Sequence, residues 1–262
     1  MGCVFRDVST AICRSLAVLA VAVVVLAGCL SPARAEVAAQ EEIRSLSFKR
    51  TTVRGIPVNA IYVNLEHPNV RLSADVSEYG IGTSESFGSF IDRTKPAAAV
   101  NGTFFCTISL HPIGDIVANG HLLHFGGMGT GLCISPEKDV AFVTPPRYRH
   151  VSWEGYETVV CGGPRLLAGS KACLAPRHEG FRDPHVLGRA RRTAVGLTYM
   201  NRLLLVTTSD PCTLTQLALV MKDLGCTDSI NLDGGSSCGM YYRGTTVTSP
   251  GRDLTNVLLV YD

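Results

Sequence analysis

The alternation of hydrophobic and polar positions predicts that most of the chain folds as β-strands. Over 56–62 and again over 70–76, apolar side chains occupy every second position, which is the period of a half-buried strand. Hairpins are predicted over 113–144, where Asn119-Gly120 signals a tight turn. Further short strands are predicted at 97–100, 193–197, 203–207, 229–232, near Met240 and at 256–261.

Two segments have the helical period instead. Residues 84–94 place apolar side chains on one face, after a serine at 84 or 86 that suits an N-cap. A second helix begins after Thr213, which is predicted to form a capping box with Gln216. Its apolar stripe continues to Leu224, and Gly225 stands where a helix commonly ends in a left-handed residue.

These elements predict an α+β protein, with a mixed, strand-rich sheet core and a few packed helices in a single domain over 45–262. The sequence shows no repeat and no second domain boundary. The segment 168–190 has no periodicity and is predicted to be a long surface loop, which is often a functional feature in a compact domain.

The N-terminal segment predicts export. Residues 1–35 have the organisation of a signal peptide, with arginines near the start and an apolar run over 15–28 that is shorter than the roughly 20 residues of a membrane span. Cleavage is expected after Ala33-Arg34-Ala35 or, in a lipoprotein, before Cys29; a retained anchor is a weaker third alternative. A linker is predicted over 36–44. The mature protein is therefore expected to be secreted, periplasmic or lipid-anchored, and to meet a membrane only through this segment.

Composition and cysteine content narrow the picture. The chain has 24 basic and 22 acidic side chains and a net charge of +2, which gives no reason to expect a nucleic-acid partner. Seven of its ten cysteines follow the targeting segment, and an oxidising compartment predicts that some form disulfides. Cys161 with Cys173 and Cys212 with Cys226 are nearest in sequence, but spacing does not decide the pairing. The absence of a CxxC motif argues against structural zinc.

Three short polar motifs stand at the ends or starts of predicted strands and are candidates for a site. Asn101-Gly102 ends a buried strand, where the alternative is an ordinary turn. Arg192 begins a buried strand and suits bidentate binding of an anion, where the alternative is a solvated cluster with Arg189. Asp233 precedes two glycines and two serines, where the alternative is an Asp-Gly turn. His178 and His185 are the histidines best placed for a site, because they lie in the irregular segment.

The order of the motifs resembles that of the phosphodiester glycosidase family. The resemblance covers about 97–262 and includes Asn-Gly-x-Phe-Phe, Gly-Gly-Pro-x-Leu-Leu, Arg-Thr-Ala-x-Gly and Asn-Leu-Asp-Gly-Gly-Ser-Ser in that order. It implies cleavage of a sugar–phosphate glycosidic link in a phosphodiester-containing glycan. Two positions depart from the pattern, because Thr103 and Ser236 stand where the family often has glycine. The resemblance implies a catalytic set of Asn101, Arg192 and Asp233 and a substrate-binding set of Gly102, Thr103, Gly163, Thr193, Gly234, Gly235 and Ser236.

These residue types suggest a mechanism. Arg192 and the backbone N–H groups of Gly234 and Gly235 are expected to hold the phosphate, while Asp233 stabilises positive charge at the anomeric carbon or activates water. Asn101 is expected to orient the sugar or phosphate. A second carboxylate is expected from the set Asp115, Asp183, Asp210 and Glu179.

Two other functions remain open from the sequence. The first is a metal-dependent phosphodiesterase with Asp233 as a ligand, so that a divalent metal is an alternative to the expected lack of a cofactor. The second is an envelope protein that binds phosphate-bearing glycans without turnover. The sequence also leaves open whether an enzyme would act in exopolysaccharide degradation or assembly.

Overall fold

The alternating segments at the start of the folded region form strands. The computed structural model describes residues 44–262, so the predicted signal peptide and nearly all of the predicted linker lie outside the described residues. Residues 45–262 form one compact unit. Its strands are β1 (Leu46–Val53), β2 (Ile56–Asn64), β3 (Arg71–Val76), β4 (Ala98–Asn101), β5 (Ile116–Ala118), β6 (His121–His124), β7 (Thr130–Ile134), β8 (Val140–Val143), β9 (Thr158–Gly162), β10 (Arg165–Ala168), β11 (Lys171–Ala172), β12 (Thr193–Thr198), β13 (Arg202–Thr208), β14 (Cys226–Asn231), β15 (Met240–Tyr242), β16 (Thr245–Thr248) and β17 (Asn256–Tyr261).

The strands form three antiparallel sheets. A seven-stranded sheet has the order β1-β2-β13-β12-β14-β10-β11. A five-stranded sheet has the order β16-β15-β4-β17-β3, and a second five-stranded sheet has the order β6-β5-β9-β7-β8. The predicted strand-rich core is therefore confirmed.

Three α-helices accompany these sheets in the described range: α1 (Phe87–Thr94), α2 (Pro184–Leu187) and α3 (Leu214–Asp223). The predicted caps of the two longer helices are confirmed. Ser86 accepts a hydrogen bond from the Ser89 N–H, and Thr213 forms the complete capping box with Gln216. After α3 the chain passes through Gly225 with φ of +93°.

The central strand β13 explains how the layers pack. Leu203 and Leu205 face the main core, which the seven-stranded sheet shares with strands of both five-stranded sheets. Leu204 and Val206 face the opposite side, where the apolar stripe of α3 covers them. Burial on both faces accounts for the unbroken apolar run in this strand. Helix α1 covers the outer face of the second sheet through Phe87, Phe90 and Ile91.

Two predictions differ from the structure. The segment 168–190 is not wholly irregular, since it contains β11 and α2. Helix α2 begins because the Asp183 side chain caps it and Pro184 occupies its first turn. The seven cysteines of the described range are all unpaired, in contrast to the expected disulfides. Cys161 lies in β9 of the third sheet, whereas Cys173 follows β11 of the first sheet.

No helix within residues 44–262 is long and apolar enough to cross a membrane.

Candidate active site

A cavity of about 550 Å³ lies where the ends of several strands and the loop around α2 meet. Two of the three predicted catalytic side chains, Arg192 and Asp233, line it. Its walls are formed by Phe104, Phe105, Thr107, Asp183, Pro184, His185, Val186, Arg189, Ala190, Arg192, Asp233, Gly234, Gly235, Ser236 and Arg252. The predicted strand-end motifs therefore converge on one region, although Asn101 and Asp233 are 132 residues apart in sequence.

Asn101 lies behind the cavity rather than in its wall. Its Nδ2 donates to the backbone oxygen of Asp233 at 2.8 Å, and its Oδ1 accepts from Thr193 Oγ1 at 2.7 Å and from Gly239 N at 3.0 Å. The side chain is 1% exposed. Because these bonds occupy both ends of the amide, Asn101 joins the end of β4 to the Thr193 side chain of β12 and to the backbones of Gly239 and Asp233. These bonded residues form a junction behind the cavity.

Gly102 and Thr103 continue this junction towards β17. A Cβ on Gly102 would come within 2.0 Å of Asn256 Oδ1, so only glycine fits there. Thr103 exchanges hydrogen bonds with the Asn256 side chain through its backbone N–H and oxygen. Thr103 is buried and absent from the cavity wall, and its hydroxyl has no hydrogen-bond partner among the described residues.

Asp233 presents its carboxylate to the cavity from the end of β14. Oδ1 accepts from Gly234 N at 2.8 Å and Oδ2 accepts from the Arg252 guanidinium at 3.0 Å. Burial raises the pKa of Asp233, while hydrogen bonding to Ser237, the Arg252 charge and the Gly234 N–H act in the opposite direction. The carboxylate is thus positioned by the backbone and by a cation.

The two glycines after Asp233 do not offer the free N–H groups that the sequence led us to expect. Gly234 N–H is bound to the Asp233 carboxylate, and Gly235 N–H donates to Arg191 O at 2.8 Å. Gly234 has a steric role, because a Cβ there would come within 2.7 Å of Arg191 O. Gly235 adopts φ of +61° and begins a single 3₁₀ turn over Gly235–Ser237. Ser236 is the exposed member of this turn and lines the cavity.

Arg192 is buried at the base of the cavity with 1% of its surface exposed. Its Nε donates to Cys212 O at 3.2 Å, and Nη2 donates to Gly188 O. The pKa of Arg192 is lowered by burial. Within residues 44–262 no carboxylate forms an ion pair with it, and Nη1 has no hydrogen-bond partner there. A buried guanidinium with spare donors at a cavity wall is suited to bind an anion, because burial of an uncompensated charge is otherwise unfavourable.

Arg252 is a charged residue of the cavity wall that the sequence analysis missed. It lies in the loop between β16 and β17, donates from Nε to Ser237 Oγ at 2.6 Å, and forms the ion pair with Asp233. Its guanidinium also stands 4.5 Å from the centre of the Phe105 ring. The loop has no periodicity or motif at this position, so the only available signal was a basic residue after the Pro250-Gly251 bend.

Gly163 is the last of the predicted substrate-binding residues. Gly163 is outside the cavity wall: its N–H donates to Asn231 O at 2.6 Å, its oxygen accepts from the Asn231 side chain, and a Cβ there would come within 2.5 Å of the Phe181 ring. Phe181 in turn contacts Phe104 with 5.6 Å between ring centres. Gly163 therefore supports the cavity from behind.

Among the candidates for a second carboxylate, Asp183 is the one that lines the cavity. Asp115 is bound by Trp153 Nε1 and two backbone N–H groups in the third sheet. Glu179 accepts from Arg165 N and Thr130 Oγ1, and burial raises its pKa. Asp210 is exposed after β13. His185 lines the cavity, whereas His178 does not.

No group of three or more His, Cys, Asp or Glu side chains suited to a metal ion occurs in the part of the chain that the structure describes. The nearest charged partner of Asp233 is the guanidinium of Arg252. The donor set around this carboxylate is therefore cationic, which suits an anionic ligand better than a divalent cation.

The comparisons with known proteins identify similar sequences and folds. The model of the phosphodiester glycosidase family matches residues 94–261, whereas a search of the curated proteins finds no significant match.

Three of the solved structures with a similar fold illustrate the likeness. A hypothetical protein from Synechocystis has a TM-score of 0.71 and 14% identity over 82% of this chain and 62% of its own length. The catalytic domain of zebrafish N-acetylglucosamine-1-phosphodiester alpha-N-acetylglucosaminidase, auto-inhibited by its pro-peptide, has a TM-score of 0.67 and 19% identity, covering 83% of this chain and 82% of that one. A protein of Burkholderia pseudomallei described as exported has a TM-score of 0.60 and 17% identity, covering 79% and 74%.

Proposed function

The chain belongs to the phosphodiester glycosidase family, and we propose that it is a hydrolase that cleaves the bond between the anomeric carbon of a sugar and the phosphate of a phosphodiester. The name of the zebrafish structural neighbour supports a sugar-1-phosphodiester as the substrate class. The signal sequence predicted over 1–35 supports action outside the cytoplasm, on a glycan that carries phosphodiester links.

The observation that carries this proposal is the arrangement of Arg192 and Asp233 around one cavity. Arg192 is buried and has no carboxylate partner among residues 44–262, and Asp233 lines the same cavity. The guanidinium suits the single negative charge of a phosphodiester, since its planar donors match phosphate oxygens. Arg252 adds a second positive charge at the wall.

The carboxylate of Asp233 then acts on the sugar side. When the bond between the anomeric carbon and the phosphate oxygen breaks, the electron pair leaves with the phosphate and positive charge develops on the sugar. Asp233 stabilises that charge or accepts a proton from the attacking water. The products are the free sugar and a phosphomonoester, whose added negative charge is stabilised by Arg192 and Arg252.

Asp183 is the candidate for the second carboxylate. It lines the cavity at the start of α2, where its Oδ1 accepts the His185 N–H. The other carboxylates considered from the sequence are bound elsewhere or lie outside the wall. We therefore assign Asp183 the protonation of, or proton removal from, a reacting oxygen.

The test is product analysis with a sugar-1-phosphodiester and the variants Asp233→Asn and Asp183→Asn, with Asp210→Asn as an exposed control. Asp233→Asn keeps the size of the side chain but removes its charge, so we expect turnover to fall at least about a hundredfold, as for loss of one preorganised electrostatic group. Asp210→Asn is expected to retain wild-type turnover.

The products separate the alternatives. Free sugar and a phosphomonoester support glycosidic cleavage, whereas sugar phosphate and a free alcohol would show phosphodiesterase chemistry, and chelator sensitivity would point to a metal. Binding of the diester without any turnover by the wild type would indicate a glycan-binding protein. Full activity of Asp233→Asn would refute the assigned site.

A further inference from the structure

The segment that includes the α2 side of the active-site cavity is strongly basic. Residues 145–192 contain nine Lys and Arg but four Asp and Glu, whereas the whole chain has a net charge of only +2. Eight of the nine basic residues are arginines. The positive charge of the protein is therefore concentrated in one segment, and in the residue type whose planar donors match phosphate oxygens.

Five of these arginines are exposed, and we call them the arginine face: Arg147, Arg149, Arg177, Arg182 and Arg189. No ion pair within residues 44–262 includes any of them. Arg189 has neutral partners, since it donates to Gln216 and to Pro211 O. Like charges without carboxylates among them repel one another, so the face is suited to a partner that carries several negative charges.

Two loops that carry the arginine face pack against each other. A Cβ on Gly180 would lie 3.1 Å from Arg147 Cδ and 3.3 Å from its Nη1, so the loop 145–150 contacts the turn 175–181. The N–H of Gly180 donates to Arg177 O at 3.3 Å within this turn. Arg147 and Arg177 are therefore presented by adjacent parts of the surface, although they are distant in sequence.

The same turn leads into the cavity wall. Phe181 is buried, and its ring contacts Phe104 of the wall. Arg182 follows Phe181 directly, and the next residue, Asp183, lines the cavity. Arg189 is itself part of the wall. The arginine face thus begins at the active-site cavity and extends away from it over the two loops.

The four carboxylates of the segment do not neutralise the arginine face. Glu179 is bound by protein donors, and Asp183 caps α2. Glu154 and Glu157 precede β9, whose other end leads to Gly163 behind the cavity. The positive charge of the face is therefore available to a ligand.

Resting on the function proposed above, we propose that the substrate is a polyanion, a glycan with repeating phosphodiester links, and that the arginine face binds the phosphates next to the one that is cleaved. Arg192 and Arg252 already provide two positive charges at the cavity for a single diester. The further charges of the face match additional phosphates. Because the face continues from the cavity wall, its ligand is an extension of the molecule bound there, which favours a polymeric substrate over a membrane surface or a nucleic acid.

The experiment measures binding of two uncleaved probes to Asp233→Asn. One probe is a sugar 1-phosphate esterified to methanol, and the other is a chain of the same sugar joined by several 1-phosphodiester links. The glutamine variant removes three charges of the face together: Arg147→Gln, Arg177→Gln and Arg182→Gln. The lysine variant keeps the charge at the same three positions but removes the planar guanidinium.

A matched control removes the same number of exposed charges outside the face and the cavity wall: Lys49→Gln, Arg50→Gln and Lys222→Gln together. We expect the glutamine variant to raise Kd for the chain about tenfold, since each exposed charge contributes modestly, and the lysine variant to raise it less. Kd for the methyl diester should change no more than it does in the control. The preference of Asp233→Asn for the chain should fall as NaCl is added, because salt screens exposed charges.

The outcomes distinguish this inference from the proposed function. If the protein with Asp233 intact cleaves neither probe, the proposed function fails, and the chain fails with it as a substrate. If that protein cleaves both probes, while the glutamine variant and the control bind the chain equally well, the role of the arginine face is refuted and the proposed function stands. Equal weakening of binding to both probes would also refute it, because it would show damage to the active-site cavity.

Two further measurements test the class of ligand. Single-stranded DNA that binds as tightly as the chain, with the same loss in the glutamine variant, would overturn the assignment to a glycan. Loss of binding to vesicles that contain phosphatidylglycerol, with an unchanged Kd for the chain, would assign the face to a membrane instead.

Discussion

The junction behind the cavity and the wall of the cavity both contain buried or half-buried polar side chains, but these use their hydrogen-bonding groups differently. In the junction, Asn101 and Asn256 have their amide groups bound to protein partners. In the wall, Arg192 and Arg252 each keep a guanidinium nitrogen without a partner among the described residues. Of the predicted catalytic residues, Asn101 therefore holds strands together, whereas Arg192 keeps a donor available to a ligand.

The largest effect is expected at Arg192. Arg192→Met keeps a buried stem and removes the charge, and we expect kcat/KM on a sugar-1-phosphodiester to fall about a thousandfold, the upper range for one electrostatic group. The free energy of unfolding should change by no more than about 1 kcal/mol, because the lost hydrogen bonds are offset by relief of a buried, uncompensated charge.

The control for that prediction is Arg189→Met. Arg189 lines the same cavity but is exposed and bound to Gln216 and Pro211 O, so its loss should cost about threefold or less, in keeping with a solvated charge. If Arg192→Met unfolds instead of losing turnover, Arg192 belongs with the junction residues, and the distinction between junction and cavity wall fails.

Substitution of Asn101 is expected to lower stability, whereas substitution of Arg192 is expected to lower turnover. Asn101→Ala leaves the Thr193 hydroxyl, the Gly239 N–H and the Asp233 oxygen without their partner, so we expect the free energy of unfolding to fall by about 3 kcal/mol. Asn69→Ala, at an exposed position, should change it by less than about 0.5 kcal/mol. Denaturant unfolding measures both. Undiminished stability of Asn101→Ala with loss of turnover would instead place Asn101 in contact with substrate.

The ion pair between Arg252 and Asp233 predicts how activity depends on pH. In the proposed mechanism Asp233 is ionised to stabilise a cationic transition state, so we expect activity to be lost as the pH falls through the pKa of Asp233, which burial already raises. Arg252 acts to lower that pKa, and Arg252→Gln should therefore move the acidic limb of the pH–rate profile to higher pH. Arg54→Gln removes an exposed ion pair with Asp223 and should leave the limb in place. An unshifted limb in Arg252→Gln would contradict the role of the ion pair.

The smallest effect is expected at the capping box of α3, on the opposite side of the seven-stranded sheet from the main core. Thr213→Ala should lower the free energy of unfolding by about 1 kcal/mol. Turnover per folded molecule should not change, because no residue of α3 lines the cavity. If Thr213→Ala is fully folded under the assay conditions and still loses turnover, the site also depends on residues outside the junction and the cavity wall.

The sequence predicted the features that depend on neighbours in the chain. The caps of α1 and α3 and the alternation in β2 and β3 are local, and the structure has them. Helix α2 was missed although its Asp183-Pro184 start is also a local signal. It is only four residues long, too short to show a period.

The features that the sequence could not predict depend on distant partners. Whether the Gly234 and Gly235 N–H groups are free depends on the Asp233 carboxylate and on Arg191 O, and the structure shows that these acceptors use them. Arg252 reaches Asp233 only because β17 returns beside β4. The alternation of apolar residues does not specify which strands become neighbours. The number of sheets and the order of strands within each sheet therefore could not be predicted from it.

The position of β17 has a consequence for the order in which the molecule can mature. It is the last strand along the described chain, yet it lies between β4 and β3, and its first residue, Asn256, holds the backbone of Thr103. A ribosome-bound chain that has not yet released this strand lacks both a central strand and the support of the junction. Hydrolytic competence should therefore appear only after translation of the domain is complete, so that an emerging chain cannot act on substrate.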